Sequence, residues 1–343
     1  KAHPFAGQYD ITSYKKNELV GFKKFDSYQG NLGLAANSVV NLKYYTDASN
    51  LKLDVQKGNI DVASRSLSAT DIASLESDSN VTVHKGPGGE IRYIVFNFDT
   101  MPFGAKTADA NPAKALAVRQ AVANIVDRQA IGDQVYKGTY TPLYSYVPTG
   151  IPGATTVLKD LYGTNGAPDV AKAKALLTAA GVTAPVTLNI QWAPDHYGPS
   201  SGDEYALIKS QLEASGLFKV NIQSTDWVTY SKERTADAYP LYQLGWFPDY
   251  SDADNWLTPF FLHGGFLANH YDNAAVDNLI TAQGVEPDAA KRTADIEQIQ
   301  ALVAKDLSTL PLLQGSQVVV AGKSVKGVVL DPSFKFRFAS LTK

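Results

Sequence analysis

Short β-prone runs alternate with amphipathic helical segments along the whole chain, and this alternation requires an α/β architecture. Residues 39–45 and 91–98 read as strands, the second nearly all apolar, as a strand covered on both faces would be. Residues 186–190 and 220–222 alternate apolar with polar side chains, so each strand has one wet face. Val318-Val319-Val320, followed by Gly322, makes a late strand. Between them, Pro112 opens a helix with Leu116, Val118, Val122, Ile125 and Val126 on one face, and proline suits a first helical turn. A second helix runs from Asp169 through Ala173, Leu176 and Leu177 to a stop at Gly181. A third covers about 203–215 before Gly216, and the longest about 288–307, with Ile296, Ile299, Leu302 and Val303 as its stripe. These apolar faces are core faces. Residues 140–168 carry four prolines, several glycines and no period, and long irregular stretches of this kind are functional or flexible.

Composition narrows the class. A chain of 343 residues that is 44% apolar can bury a sizeable core, as two domains or one large one. Lys and Arg number 31 against 34 Asp and Glu, so the basic excess of a general nucleic-acid binder is missing. The apolar stretches are strand-length, short of the about 20 residues a membrane helix needs. With no cysteine there is no disulfide, thiol nucleophile or cysteine-based metal site. Met101 is the only methionine and the chain opens Lys-Ala-His-Pro, so the expectation is a processed product or a fragment.

Enzyme motifs are missing. There is no G-x-S-x-G elbow, H-E-x-x-H pair or P-loop, and Gly86-Pro87-Gly88-Gly89 is a turn. The five histidines have no ligand spacing, although His263 and His270 flank a glycine-containing loop. Neither a metal nor a cofactor is expected. One segment stands out: a strand-like run through Gln243 ends in Gly245-Trp246-Phe247-Pro248-Asp249-Tyr250, then Asp252 and Asp254 follow without a basic residue. Asp252 or Asp254 suits a helix cap. Asp249, among Trp246, Phe247 and Tyr250, is expected to lose water and to need a cation or donors. A ligand ammonium group at about 4 Å would gain roughly 4 kcal/mol before desolvation, at an effective dielectric of about 20. A calcium site is the competing reading, but the acids lack the EF-hand pattern.

Several further segments, in order, carry a resemblance. They are Gly7-Gln8-Tyr9, Gly58-Asn59-Ile60-Asp61, Phe96-Asn97 with Pro102-Phe103, and Val118-Arg119-Gln120-Ala121 with Asp127-Arg128. They continue with Ala173 to Gly181, Tyr271-Asp272-Asn273 with Val276-Asp277 and Leu279-Ile280, and Leu310-Pro311-Leu312. Together they resemble family 5 of the extracellular solute-binding proteins, the oligopeptide- and dipeptide-binding components of ABC transporters, over essentially the whole chain.

The resemblance implies a two-lobed, periplasmic-binding-protein-like (type II) α/β fold that closes on its ligand by a hinge. Lobe I would be incomplete, made of residues 1–90 and 316–343, because the family's N-terminal region is missing; residues 91–315 would form lobe II. The implied protein is a monomeric receptor of the cell envelope or its exterior. It would capture small peptides in an interlobe cleft, deliver them to an ABC permease, and associate with the membrane only through the missing N-terminus. Gly245-Trp246-Phe247-Pro248-Asp249-Tyr250 matches the family's G-W-x-x-D-Y, which assigns Asp249 to the peptide's α-ammonium group. Trp246 and Phe247 would line a side-chain pocket, with Gln243 on the same strand, Gln314 after the returning strand, and Tyr144 and Tyr146 in a bordering loop. Two alternatives remain: an oligosaccharide ligand stacked on aromatics, and a hydrolase using Asp249 and Asp252 as paired acids.

Overall fold

A computed structural model describes residues 6–331, 333 and 335–343. The chain divides into two compact units, Lys1–Pro87 with Gln317–Lys343, and Gly88–Ser316. The first unit starts with an antiparallel meander of β1 (Tyr9–Lys15), β2 (Leu19–Lys24) and β3 (Val39–Lys43). Then follow α1 (Ala48–Lys57), β4 (Val62–Ser64), α2 (Ala69–Leu75) and β5 (Val81–Gly86). The Asp47 side chain caps the start of α1. Gly58, at φ +71°, ends it by turning its N–H back to the carbonyls of Asp54 and Val55, a conformation that favours glycine. Ser68 and Asp71 form a reciprocal capping box on α2.

The second unit is built on β6 (Ile91–Phe96), buried at every position. After it come α3 (Pro112–Ile125), α4 (Arg128–Ala130) running into a π turn at Ile131–Val135, β7 (Tyr140–Pro142), α5 (Val157–Leu161) and α6 (Val170–Ala179). A strand–helix series follows: β8 (Val186–Trp192), α7 (Ser201–Ala214), β9 (Phe218–Ser224), α8 (Trp227–Thr235) and β10 (Leu241–Trp246). The unit ends with α9 (Asp254–Phe261), α10 (Ala274–Gln283), α11 (Ala289–Asp306) and β11 (Thr309–Gly315). The chain then re-enters the first unit as β12 (Gln317–Gly322), between β4 and β5.

Among the described residues the second unit holds one six-stranded sheet in the order β7-β11-β6-β10-β8-β9. β10, β8 and β9 run parallel, with α7 and α8 in the crossovers, whereas β6 is antiparallel to both β10 and β11. Its central place explains why β6 lacks polar alternation. β8 and β9 lie toward the edge and keep the expected wet face. The core joins the strand side chains to Val118 and Val122 of α3 and to Ile299 and Val303 of α11, around the fully buried Trp256.

Two details differ from the sequence reading. Leu116 and Leu302 are only half-buried, whereas the small Ala115 and Ala117 are buried in α3, which packs closely on α6. Residues 140–168 are not structureless: they contain β7 and α5, and Tyr146, Val147 and Leu158 are buried. No described helix is long and apolar enough to cross a membrane.

Candidate functional site

β10 is buried from Leu241 to Gly245, and its last residue, Trp246, starts the loop leading to α9. Asn255, in the first turn of α9 and almost fully buried, ties this loop down. Its Oδ1 accepts from the Trp246 indole Nε1–H at 2.8 Å and from the Asp249 backbone N–H at 3.0 Å. The Trp246 ring meets Phe260 edge-on at 5.0 Å and packs on Phe266 at 5.7 Å. The far end of the loop is tied separately. Arg292 Nη1 and Nη2 donate to the Asp252 carboxylate at 2.9 and 2.6 Å, and Asp254 accepts from Thr258 Oγ1–H and from Gln283 Nε2. The hydrogen bond from Arg292 holds the Asp252 carboxyl below the usual carboxylate range. Asp252 Oδ1 also accepts from Asp254 N–H at 2.9 Å, a turn contact just ahead of α9; the N-cap of that helix is Ala253, without a side-chain bond, so neither acid is the cap expected from the sequence.

Between these ties stands Asp249. Its side chain is exposed and, among the described residues, its carboxylate meets no donor or cation. This overturns the expected desolvation: Trp246 turns its ring inward, Pro248 is buried, and Asp249 is left at the crest of the loop. Phe247 is half-buried, 6.4 Å from the Tyr197 ring and nearly parallel to it. Behind them His196 stacks flat on Trp227 at 3.6 Å. Burial there pushes the His196 imidazole below its usual pKa.

The other predicted residues are not gathered at this loop. Gln243 is buried, its Oε1 accepting from Ala193 N–H at 3.1 Å and its Nε2 donating to Ser201 Oγ at 3.2 Å. Gln314 is spent on the chain itself, with Nε2 donating to the carbonyls of Gly88 and Thr149 and Oε1 accepting from Thr149 N–H. Tyr146 is a core residue, 2% exposed, whose hydroxyl donates to the carbonyls of Val303 and Thr309. Tyr144 is half-buried and donates to the Gly166 carbonyl at 3.2 Å, with the Arg128 guanidinium 5.1 Å from its ring. Gln243, Gln314 and Tyr146 thus spend these polar groups on bonds within the unit, and the local sequence pattern carries no record of those distant partners.

Two features escaped the sequence reading. One is Asn255, whose only signal is an amide at the start of a helix. The other is the buried cluster of Arg92, Glu90, Glu204, Tyr136 and Tyr140, signalled by one charge inside an apolar strand. His263 and His270 do not meet: His263 faces Asp272 at 3.6 Å, and His270 lies 2.6 Å from Asp237 and 3.4 Å from Asp99. Asp99, Asp237 and His270 stand close enough to share an ion, but Lys106 already bonds Asp99 at 2.8 Å. An open groove of about 760 Å³, lined by Tyr9, Phe22, Leu32, Leu34 and Phe338, lies in the first unit and touches none of the predicted site residues.

The fold is that of the two-lobed periplasmic binding proteins. The ABC transporter substrate-binding protein CtaP of Listeria monocytogenes superposes with a TM-score of 0.82 at 22% identity, over 98% of this chain and 66% of that one. A dipeptide-binding protein from a Pseudoalteromonas species, solved with Met-Leu, does so at 0.77 and 22% identity, over 98% and 64%. The chain belongs to family 5 of the bacterial extracellular solute-binding proteins, whose middle-region model matches residues 2–267. It is 26% identical to a dipeptide-binding protein of Pseudomonas aeruginosa over 333 residues, 95% of this chain and 59% of that protein. The Escherichia coli dipeptide-binding protein is 24% identical, over 98% of this chain and 60% of its own length. The chain thus spans about three fifths of the length of these curated relatives.

Proposed function

We propose that this protein is a non-catalytic receptor of the cell envelope that captures small peptides by their free α-ammonium group and hands them to an ABC permease. The observation that carries the reading is Asp249: an exposed carboxylate without a partner among the described residues, on a loop fixed at both ends. A carboxylate held this way binds a primary ammonium group by charge-assisted hydrogen bonds without first breaking an internal pair. The names of the relatives, dipeptide-binding proteins among them, support the same ligand class. In this reading the unit Gly88–Ser316 carries the ammonium site on Asp249. The loop also supports a binding rather than a hydrolytic role. Asp252, the second acid of a hydrolytic pair, is committed to Arg292, so Asp249 has no free acid partner in the loop.

Native mass spectrometry of the purified protein, released without denaturant, tests the ligand class. A retained ladder spaced by amino-acid residues supports peptides, and a hexose spacing overturns the reading in favour of oligosaccharides. Calorimetry of Asp249→Ala with free-amino and N-acetylated forms of one peptide then tests the residue. Equal losses for both would remove the role assigned to Asp249.

A further inference from the structure

β6 is buried at all six positions yet carries one charge, Arg92. Its Nη1 donates to Tyr136 Oη at 2.6 Å and to Glu204 Oε2 at 3.3 Å, its Nε to Glu90 Oε1 at 3.3 Å, and its Nη2 to Tyr140 Oη at 3.1 Å. Removing such ions from water costs about as much as their attraction returns, so stability alone does not account for the cluster. The remaining contact points toward the candidate site: Nη2 also donates to the backbone carbonyl of Tyr197.

Arg92 and Gly245 are direct partners across the antiparallel β6–β10 ladder, so their side-chain positions share a face. Gly245 contributes no side chain, and Tyr197 occupies the space. A Cβ at position 245 would stand 2.9 Å from the Tyr197 ring and 2.7 Å from the Ile91 carbonyl oxygen. From there the Tyr197 ring lies 18° from parallel to Phe247, two residues before Asp249.

We propose that Arg92 is a positioning residue for the candidate site, acting through Tyr197, which it holds over Gly245 and against Phe247. The peptide-affinity arm of its test rests on the reading of Asp249 above; the spectroscopic arm needs no ligand. Trp227 lies 5.6 Å from Tyr197, edge to face, and stacks on His196, so this cluster reports the placement of Tyr197 through near-ultraviolet circular dichroism.

The experiment is a double-mutant cycle of Arg92→Lys and Tyr197→Ala on the full chain. Lysine keeps the charge but has one nitrogen, and cannot reproduce the guanidinium fork that meets Glu90, Tyr136, Glu204 and the Tyr197 carbonyl together. Arg92→Lys is expected to change the near-ultraviolet spectrum well below its melting temperature and to weaken Met-Leu binding about tenfold. In the Tyr197→Ala background the same change should add little to either readout, because groups that act in series are not additive. Additive losses, or an Arg92→Lys protein with reduced Tm and unchanged spectrum and affinity, would overturn the proposal. Gly245→Ala presses on Tyr197 and on the Ile91 carbonyl while keeping every charged side chain of the cluster, and serves if Arg92→Lys does not fold. It should alter the same spectrum, and an unaltered one would count against the proposal. Wild-type protein that binds no free-amino dipeptide would remove the ammonium reading and leave the spectroscopic cycle to decide the role of Arg92.

Discussion

Arg292 and Asp252 meet in a two-point pair, Nη1 to Oδ2 at 2.9 Å and Nη2 to Oδ1 at 2.6 Å, which ties α11 to the loop carrying Asp249. Arg292 also donates to the carbonyl and Oε1 of Gln283 at the end of α10, so one guanidinium holds three segments together. The pair leaves Asp249 as the loop's unpaired carboxylate.

The pH dependence of this tie has a defined sign. Hydrogen bonding to Arg292 lowers the Asp252 pKa in the folded state. Its stabilisation is therefore present above the ordinary carboxylate range and is lost as pH falls through the lowered value. Asp252→Asn is expected to cost about 1 kcal/mol or less at neutral pH, since the pair is partly exposed to solvent. Urea unfolding at neutral and at strongly acidic pH checks this, and the difference between wild type and variant should shrink in acid.

The Asp249 carboxylate has no partner to lose among the described residues, so Asp249→Ala should leave the melting temperature within about 1 °C of wild type, a surface change being worth at most about 0.5 kcal/mol. Affinity for free-amino peptides should fall about 10- to 100-fold, the worth of a charge-assisted hydrogen bond of about 1.5–3 kcal/mol. N-acetylated peptides should bind both proteins alike in calorimetry.

Asn255 serves two donors with one oxygen. Asn255→Ala leaves the Trp246 indole N–H and the Asp249 amide unpaired and should destabilise the second unit by about 1–3 kcal/mol. It should also weaken peptide binding by loosening the loop. Asn255→Asp keeps the accepting oxygen and should restore most of the affinity, although it adds a charge beside Asp249. Thermal unfolding and calorimetry on the two variants separate these effects.

Glu204 tests the buried cluster. Its Oε1 has no partner among the described residues, and burial raises its pKa despite the opposing effect of Arg92. The folded state therefore holds this proton more tightly than the unfolded chain, and stability falls as pH rises above the ordinary glutamate range. Glu204→Gln keeps a similar shape and removes the surplus negative charge left by two acids around one arginine. Unfolding across acidic to alkaline pH should show the variant gaining on wild type as pH rises.

Much of the fold is legible because the signals for it are local. Asn111, Asp169 and Asp288 cap α3, α6 and α11 within a turn of the apolar periods that mark these helices. Gly58, Gly181 and Gly216 adopt the left-handed conformation beside the ends of α1, α6 and α7. The run beginning at Ile91 reads as a doubly covered strand because only a central strand tolerates so little alternation. The G-W-x-x-D-Y segment likewise marks the loop after β10 before any coordinates are known.

The site is less legible, because neighbours in sequence are not neighbours in space. Asp249 follows two aromatic residues, yet Trp246 turns inward and leaves it in water. Nor does the local sequence show that Gln243 bonds Ala193 and Ser201, or that Gln314 bonds Gly88 and Thr149, all of them distant along the chain.

The amino-acid order by itself determined the strand–helix alternation, the caps and stops, the family, and which loop carries an acid beside aromatics. Each depends on contacts spanning a few residues, or on a pattern preserved in order. Only the tertiary structure decided that Asp252 is paired with Arg292 while Asp249 meets no partner among the described residues, and that Arg92 sits among two acids and two tyrosines. The partners of Arg92 lie as far as 44, 105 and 112 positions along the chain. Burial and charge compensation are set by which distant groups the packed sheet brings within hydrogen-bond reach, and that distance is not written in any local stretch of sequence.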